Sequence, residues 1–542
     1  MRWSDDDPIF LISSDDALPD RAFLGYCFVG IDLVIGSGGA IDYETATGTA
    51  ICAGHDGSYA SLRRDGAAWT LETDVKGFCH VFHWHGDRDW IVSNSFLAVV
   101  DELRRRNHRI EPNTAPIAAY AAEPDLVRTL MSFDSCVHGI SLLPSDARLR
   151  LTVGPTPSLE LVGVPTPGST VAYGELLGKY LDLWTSRFTT MFTDSRLSFT
   201  MQITGGLDSR AVLGIALPAL RHTGANADGR VRLSSQLNRP DDLRVAGEVC
   251  DRLGLALNQP IDQRLATRLG PSQEFEQWEE IAAGVYSHVR FLPSNVNHSR
   301  IVIGGLGGEA HRTVYAADIA KTAIAAVAAK RSREFRDRTR FEAWQASLID
   351  ADERLRRRGD AHPLALVRNH REFRDRFHSG FPTVQTISTQ PLTSQLLIHC
   401  SNALGEVEFD YGQILYDLMH NAAPGLMDIP YDREFKAPDA ARRAALTTID
   451  WQPSFRTGRV YTDDLVVRTP VPPSDHDTPL GHMLAATLPI REKRMPAQLV
   501  GEKVIAAGIA VLRDNERAGN QSLHDRGRAA HLAFLLNRLC DE

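Results

Sequence analysis

The sequence predicts a mixed architecture: a β-rich α+β domain followed by a doubly wound α/β domain built on a parallel sheet. Three observations carry that expectation. Residues 1 to about 165 hold short runs of β character, such as "GTAICAG", "GFCHVFHWHG" and "DWIVSN", broken by Gly and Asp turns. The stretch "GVPTPGST" near 163–170 reads as a linker, because its prolines and glycines discourage both regular elements. From residue 171 onward helical and apolar-strand patterns alternate, the order expected of a parallel sheet covered by helices. The domain bounds are therefore 1–165 and 171–542, and 542 residues suffice to bury two substantial cores.

Within the first region a helix is expected around "SFLAVVDELRRR". His83 and His85 alternate on a presumed strand and share a face, an arrangement able to bind a metal. No third ligand accompanies them, so they read as surface or packing residues. The seven cysteines, at 27, 52, 79, 136, 250, 400 and 540, form no CxxC pair, which argues against a zinc site or a disulfide framework. In the second region, residues 316–380 are mostly charged helical sequence and read as a solvated helical face.

Charge and hydropathy exclude some partners. A net charge of −9 provides no basic face for nucleic acid. The apolar run "TAIAAVAA", between Lys321 and Lys330, is far shorter than the ~20 residues of a membrane-spanning helix. The acidic start "MRWSDDD" lacks the basic and apolar regions of a signal peptide. A soluble cytoplasmic protein is expected.

The most informative segment is "ITGGLDSRAVLGIAL", residues 203–217. Leu197, Phe199, Met201 and Ile203 alternate as on a half-buried strand, whereas Ala211, Leu213, Ala216 and Leu217 recur at helical spacing. A strand, a glycine turn and a helix follow one another. Gly205 and Gly206 let a ligand approach the backbone, and the N–H groups of the helix start favour an anion, so the turn suits phosphate. Asp208 would repel phosphate unless a divalent cation such as Mg²⁺ stood between them. A Walker A loop needs Lys followed by Ser or Thr, and here Leu207 and Asp208 follow Gly206, which disfavours kinase-type transfer. The plainer reading is a capped turn with Asp208 or Ser209 as N-cap.

"TGGLDSR" resembles the pyrophosphate loop of the asparagine synthetase superfamily, which includes asparagine synthetases, β-lactam synthetases and lasso-peptide macrolactam synthetases. The resemblance covers roughly residues 190–465. Two further segments follow in the family's order: "VRLSSQLNRPDDLRVAGEVCDRLGL", with Ser235 where the family contacts adenine through its backbone, and "IVIGGLGGEAHRTVY", a strand with a glycine-rich loop carrying a magnesium carboxylate. The resemblance implies a glutaminase-like, N-terminal-nucleophile fold for the first domain and a PP-loop synthetase fold for the second. It implies that a substrate carboxylate attacks the α-phosphate of ATP, pyrophosphate leaves, and an amine attacks the acyl-adenylate. Thr204, Gly205, Gly206, Leu207, Asp208 and Ser209 would form the pyrophosphate loop, and Asp208 with Glu309 would hold Mg²⁺. Gly304 and Gly305 would lie beside the adenosine, with a further backbone contact from Gln202. Arg210 would face the phosphates or pair with a carboxylate.

The sequence departs from the family in several places. Glutamine-using members carry Cys directly after the initiator Met, where its freed amine acts as base; Arg2 stands there, and the internal Cys27 supplies no terminal amine. The first domain is therefore expected to be inactive as a glutaminase. Leu306 replaces the Glu of asparagine synthetases or the Tyr with which β-lactam synthetases help deprotonate the amine, and Glu309 replaces an Asp. In "EVEFDYGQIL", Glu406 occupies the basic position of the family's "RVPFLD". The family's phosphate-stabilising lysine is missing from "SFRTGRVY", where Arg456 or Arg459 would stand in; Lys436, Lys493 and Lys503 are less well placed. "GGLGGEA" also fits the GxGxxA dinucleotide fingerprint, but residues 205–209 already account for one nucleotide.

The expected function is an ATP-dependent, AMP-forming amide ligase using an amine not drawn from glutamine, with lactam or lasso-type macrolactam formation foremost. Its substrate would be a small-molecule or peptide carboxylate, with a leader-peptide-binding protein or protease as candidate partner. Two alternatives stay open: a catalytically altered nucleotide-binding scaffold, and a free-ammonia-using asparagine synthetase-like enzyme. A PP-loop enzyme acting on tRNA is disfavoured by the acidic charge.

Overall fold

The β runs of the first third become ten strands: β1 (Leu11–Ser13), β2 (Arg21–Val29), β3 (Asp32–Ile35), β4 (Asp56–Asp65), β5 (Ala68–Thr73), β6 (Phe82–His85), β7 (Trp90–Ser93), β8 (Ile140–Leu142), β9 (Ala147–Thr152) and β10 (Ser158–Gly163). They belong to a computed structural model that describes residues 1–3, 7–122, 128–259, 269–291, 300–315, 319, 321–330, 335, 337–385, 387–463, 477–518, 523 and 527–540. Strands β1, β7, β6 and β8 form one antiparallel sheet; β10, β9, β5, β4, β2 and β3 run in that order through a second.

Alternation along the strands decides how the sheets stack. Phe10, Ile12, Trp90 and Val92 of the smaller sheet share a core with Leu62, Leu71, Leu149 and Leu151 of the larger, so the two pack face to face. The opposite face of the larger sheet, at Phe23 and Tyr59, is covered by Ala40 and Tyr43 of helix Gly36–Thr47. Phe82 and Ile91, on the outer face of the smaller sheet, meet Phe96, Leu97 and Val100 of helix Phe96–Arg105. The layers are helix, sheet, sheet, helix.

The second half supplies a parallel sheet of β11 (Ser198–Gln202), β12 (Val231–Ser234), β13 (Arg300–Ile303) and β14 (Ser388–Thr389), ordered β12-β11-β13-β14. After β11 the chain steps out to β12, then crosses back to β13 on the other side of β11. The loops leaving β11 and β13 therefore diverge at their carboxyl ends, the crevice in which parallel α/β sheets bind ligands.

The two halves interlock. Strand β15 (Val460–Thr462) pairs in parallel with β3, as the seventh strand of the larger antiparallel sheet. Helices Pro479–Thr487, Glu502–Arg517 and Gly527–Leu539 contribute Leu480, Ile509 and Phe534 to the core around Phe96–Arg105. Residues 171–542 thus complete the first body as well as building the second.

The charged stretch 316–380 divides. Residues 316–318, 320, 331–334 and 336 lie outside the described residues. Helix Arg338–Arg356 has the expected solvated face, with Arg338 and Glu342 exposed. The expectation fails from Ala365 onward: Arg368, His370, Arg371, Glu372, Asp375 and Arg376 are all buried. Burial is tolerated because these groups satisfy one another. Glu372 accepts from Arg358 at 2.9 Å and Arg376 at 3.2 Å, Arg368 clamps Asp352 with two bonds of 2.9 Å, and Arg371 donates to Ala310 O, Asn402 Oδ1 and Ser401 Oγ. Among the described residues no helix is long and apolar enough to cross a membrane.

A buried ion pair is among the contacts that tie the halves together. Arg187, on helix Tyr173–Thr193, donates to Asp56 Oδ2 at 2.6 Å and to Gly30 O at 2.9 Å, with its guanidinium over Phe28 and Trp184. Asp56 also accepts from Ser394 Oγ at 2.9 Å and Gln395 N at 3.1 Å. Burial alone would raise the Asp56 carboxyl; Arg187 and these donors outweigh it and hold the pKa below the usual value. Arg187→Met leaves Asp56 buried without its counter-charge and is expected to cost about 3–5 kcal/mol, read as a lowered urea midpoint.

Candidate functional site

The site forms where β11 and β13 end. Beyond β11, Thr204 N donates to Ser209 Oγ at 3.1 Å, the two hydroxyls lie 2.9 Å apart, and Gly206 N donates to Thr204 Oγ1 at 3.2 Å. Gly205 N donates to Asp242 Oδ1 at 3.0 Å, and Gly205 O accepts from Asp432 N at 3.2 Å. A Cβ on Gly205 would fall 2.5 Å from Asp432 Cβ, so only glycine fits. Asp432 is paired with Lys436 at 2.8 and 3.0 Å.

Beyond β13, "GGLGGE" closes onto that corner. A Cβ on Gly305 would lie 2.7 Å from Ser209 N, and one on Gly308 would lie 2.4 Å from Asp208 Cγ. A Cβ on Gly304 would strike the Gln390 amide at 2.5 Å, the same amide whose Oε1 accepts from Leu306 N at 3.2 Å. The two loops touch because the second carries glycines, without a Cβ, where it meets Asp208 and Ser209.

Between them opens a small pocket of about 60 Å³, well below the roughly 300–1,000 Å³ of ligand sites. Asp208, Leu306 and Glu309 line one wall; His370, Arg374, Asp375 and His378 line the other. Arg312 donates to both oxygens of Asp208, at 2.6 and 2.9 Å. Burial raises the Glu309 carboxyl against the pull of Arg374, with Asp208 adding to the rise and Arg312 opposing it. His370, 3.9 Å from Glu309, is pushed down to about 4 by burial and is neutral. Arg374 donates to the Tyr286 hydroxyl at 3.2 Å, which lies 2.6 Å from His378 Nδ1. Burial and the neighbouring Arg374 push His378 well below its ordinary value.

The structure brings Thr204–Ser209 together with Gly304, Gly305 and Glu309. Gln202 is exposed at the end of β11, opposite Ser234 of β12. Ser235 follows at the same edge, where its N–H donates to Asn258 Oδ1 at 2.9 Å and its hydroxyl is buried.

Other expectations are corrected. Arg210 turns its guanidinium to backbone carbonyls: fully buried, it donates to Leu426 O, Ile429 O and Pro430 O at 3.1, 2.7 and 2.7 Å, and it stacks on Tyr431. It satisfies carbonyls at the end of the turn Pro424–Asp428. Arg456 and Arg459 lie toward the amino end of β11, opposite the end that carries the corner. Phe455 stacks on His222, at the far end of helix Leu207–Thr223 and about 20 Å from Asp208 by the ~1.5 Å helical rise. The Arg459 N–H is bound to Asp32 Oδ1 at 2.7 Å, and Arg196, just before β11, reaches Val460 O at 2.9 Å. Lys436 is instead the lysine that approaches the corner, through Asp432. Lys493 is bound to Asn537 O and Cys540 O, Lys503 is exposed, and Glu406 pairs with Lys321 at the surface.

In the first half, Arg2 is paired with Asp7 and with Glu280, the latter at 2.6 Å. Cys27 is fully buried and its thiol is pushed far up by burial. Burial pushes His83 down to about 4, and no group of three or more His, Cys, Asp or Glu side chains among the described residues is arranged to hold a metal.

A divalent cation does not fit Asp208 as the site stands, because a guanidinium occupies both its oxygens and would repel a second cation. Sequence reasoning missed Arg312, Asp242, Asp432, His370, Arg374 and His378. Two signals were available: Arg312 follows Glu309 by three residues, and 370, 374 and 378 recur at the four-residue spacing of one helix face. Asp242 and Asp432 gave no local sign. No protein-family model matches this chain. A comparison with curated proteins likewise finds no match.

Because its folded-state pKa is raised, Glu309 contributes stability that is present below about 4.5 and is lost as pH rises through the raised value. Glu309→Gln is expected to flatten that part of the stability profile, measured as urea midpoints from acid to neutral pH.

Proposed function

We propose that this chain is an ATP-dependent, AMP- and pyrophosphate-forming amide ligase that activates a substrate carboxylate and joins it to an amine not released from glutamine. One observation carries the reading: two glycine corners meet at the carboxyl ends of β11 and β13, where strand order reverses, and the Gly205 N–H already holds an anionic oxygen at 3.0 Å. The Asp242 carboxylate stands where a phosphate oxygen would be received. Backbone N–H groups suit the charge that develops on departing pyrophosphate, because they stabilise it without titrating. Gly305 lines the pocket, and Arg374 and Lys436 add positive charge around the corner.

The layered first body and the parallel sheet support a glutaminase-like fold joined to a PP-loop fold. Cys27 is sealed in the core, which supports a first body that does not hydrolyse glutamine. The amine then comes from the substrate itself, as in lactam or lasso-type macrolactam closure of a small-molecule or peptide carboxylate. A cytoplasmic setting and a leader-peptide-binding or protease partner belong to the same proposal.

A second reading, a nucleotide-binding scaffold, is favoured by Asp242 and Arg312 occupying the very groups a reacting ligand would use. Pyrophosphate release that depends on an added carboxylic substrate separates the two: release supports the ligase, and ATP binding without release across a broad carboxylate panel supports the scaffold. Asp208→Ala, which unseats Arg312, is expected to abolish AMP formation; unchanged turnover would show that the corner is misassigned. Adding glutamine is expected to yield no glutamate, and its appearance by amino-acid analysis would refute the inactive first body.

A further inference from the structure

We infer that Arg312 takes the place of a divalent cation at this site, so that the chain binds the phosphates of ATP without a metal ion. The inference rests on the nucleotide reading above. A carboxylate on the first turn of a phosphate-binding helix needs a positive charge between itself and the ligand. Here that charge belongs to the protein: the guanidinium of Arg312 bridges both oxygens of Asp208 at 2.6 and 2.9 Å.

The geometry leaves Arg312 able to reach further. A guanidinium carries five N–H donors in a planar fork, and Asp208 takes one from each terminal nitrogen. No other acceptor engages it among the described residues, and its side chain is 26 % exposed. The remaining donors match the bidentate geometry of a phosphate. Burial would lower its pKa, but Asp208 and Glu309 outweigh that and raise it, so the group stays charged. Its position is fixed from behind. His311 is buried with Nε2 2.6 Å from Leu392 O, and the Arg312 stem packs on Gly412, where a Cβ would come within 3.3 Å.

The other charged groups around the pocket agree with this arrangement. Glu309, Asp375, Arg374 and the neutral His370 face it, and among the described residues none of the acids joins Asp208 in a cluster of three ligands suited to a metal. A metal ion on Asp208 would have to displace Arg312 or sit beside a like charge.

The test measures ATP binding to the full-length chain by titration calorimetry, in Mg²⁺ and in excess EDTA. Similar affinity in the two buffers is expected. Arg312→Met is expected to weaken binding in EDTA by roughly 10–100-fold, the range for loss of a charge-assisted bidentate pair, and to make the remaining binding respond to Mg²⁺ because Asp208 is freed. Arg312→Lys, checked for native thermal unfolding, keeps the charge but not the fork and is expected to fall between the two. Wild-type binding that collapses in EDTA overturns the inference while leaving the nucleotide reading intact. No ATP binding in either buffer overturns the nucleotide reading and the inference together.

Discussion

Everything at the candidate site depends on how closely two loops can approach. The corner after β11 and the loop after β13 come within contact distance only because Gly305 faces Ser209 N and Gly308 faces the Asp208 carboxyl group, positions where a Cβ would lie 2.7 and 2.4 Å from its neighbour. Real Cβ contacts do not occur at such distances, so the sequence must supply glycine at both places. The approach brings Asp208, on the first turn of one helix, within reach of Arg312, in the turn after β13. Without it the two would belong to separate loops and the pocket would have no floor.

The wall opposite is built by a different principle. A chain that buries Arg368, Arg371 and Arg376 and leaves Arg358 only 12 % exposed must give each a partner, since an unpaired interior charge is far more costly than a paired one. Asp352, Asp360 and Glu372 answer three of them, and backbone and amide oxygens satisfy Arg371. The resulting network fixes the stretch that carries His370, Arg374 and His378, and a π-helical turn at His370–Arg374 lies where it meets the pocket. Burial and cationic neighbours keep both histidines neutral, so the positive charge of this wall comes from Arg374.

The resting site manages charge internally. Asp242 holds the Gly205 N–H as an anionic ligand would, and Arg312 holds Asp208 as a cation would. On the proposed reading, a phosphate entering the corner would replace the first contact and add to the second. Affinity is therefore a difference between two sets of hydrogen bonds and is smaller than the number of donors suggests.

Local pattern alone determined a good deal: β-rich sequence in the first third, a parallel sheet in the second half, and the strand, glycine corner and helix at 197–217. These follow from alternation, helical spacing and glycine placement, which neighbouring residues fix by themselves. Local pattern also put Thr204, Gly205, Gly206, Asp208, Gly304, Gly305 and Glu309 in the two loops that the fold brings together. Tertiary structure decided what those groups touch. Arg210 left the glycine corner for the carbonyls around Ile429, and Arg456 and Arg459 went to the amino end of β11, beside β15 of the larger antiparallel sheet. The charged run after Ala365 turned inward instead of facing solvent, and Asp242 and Asp432 arrived at Gly205 from 37 and 227 positions away. A charged side chain finds its partner through space, and in this chain those partners lie beyond the reach of any local repeat.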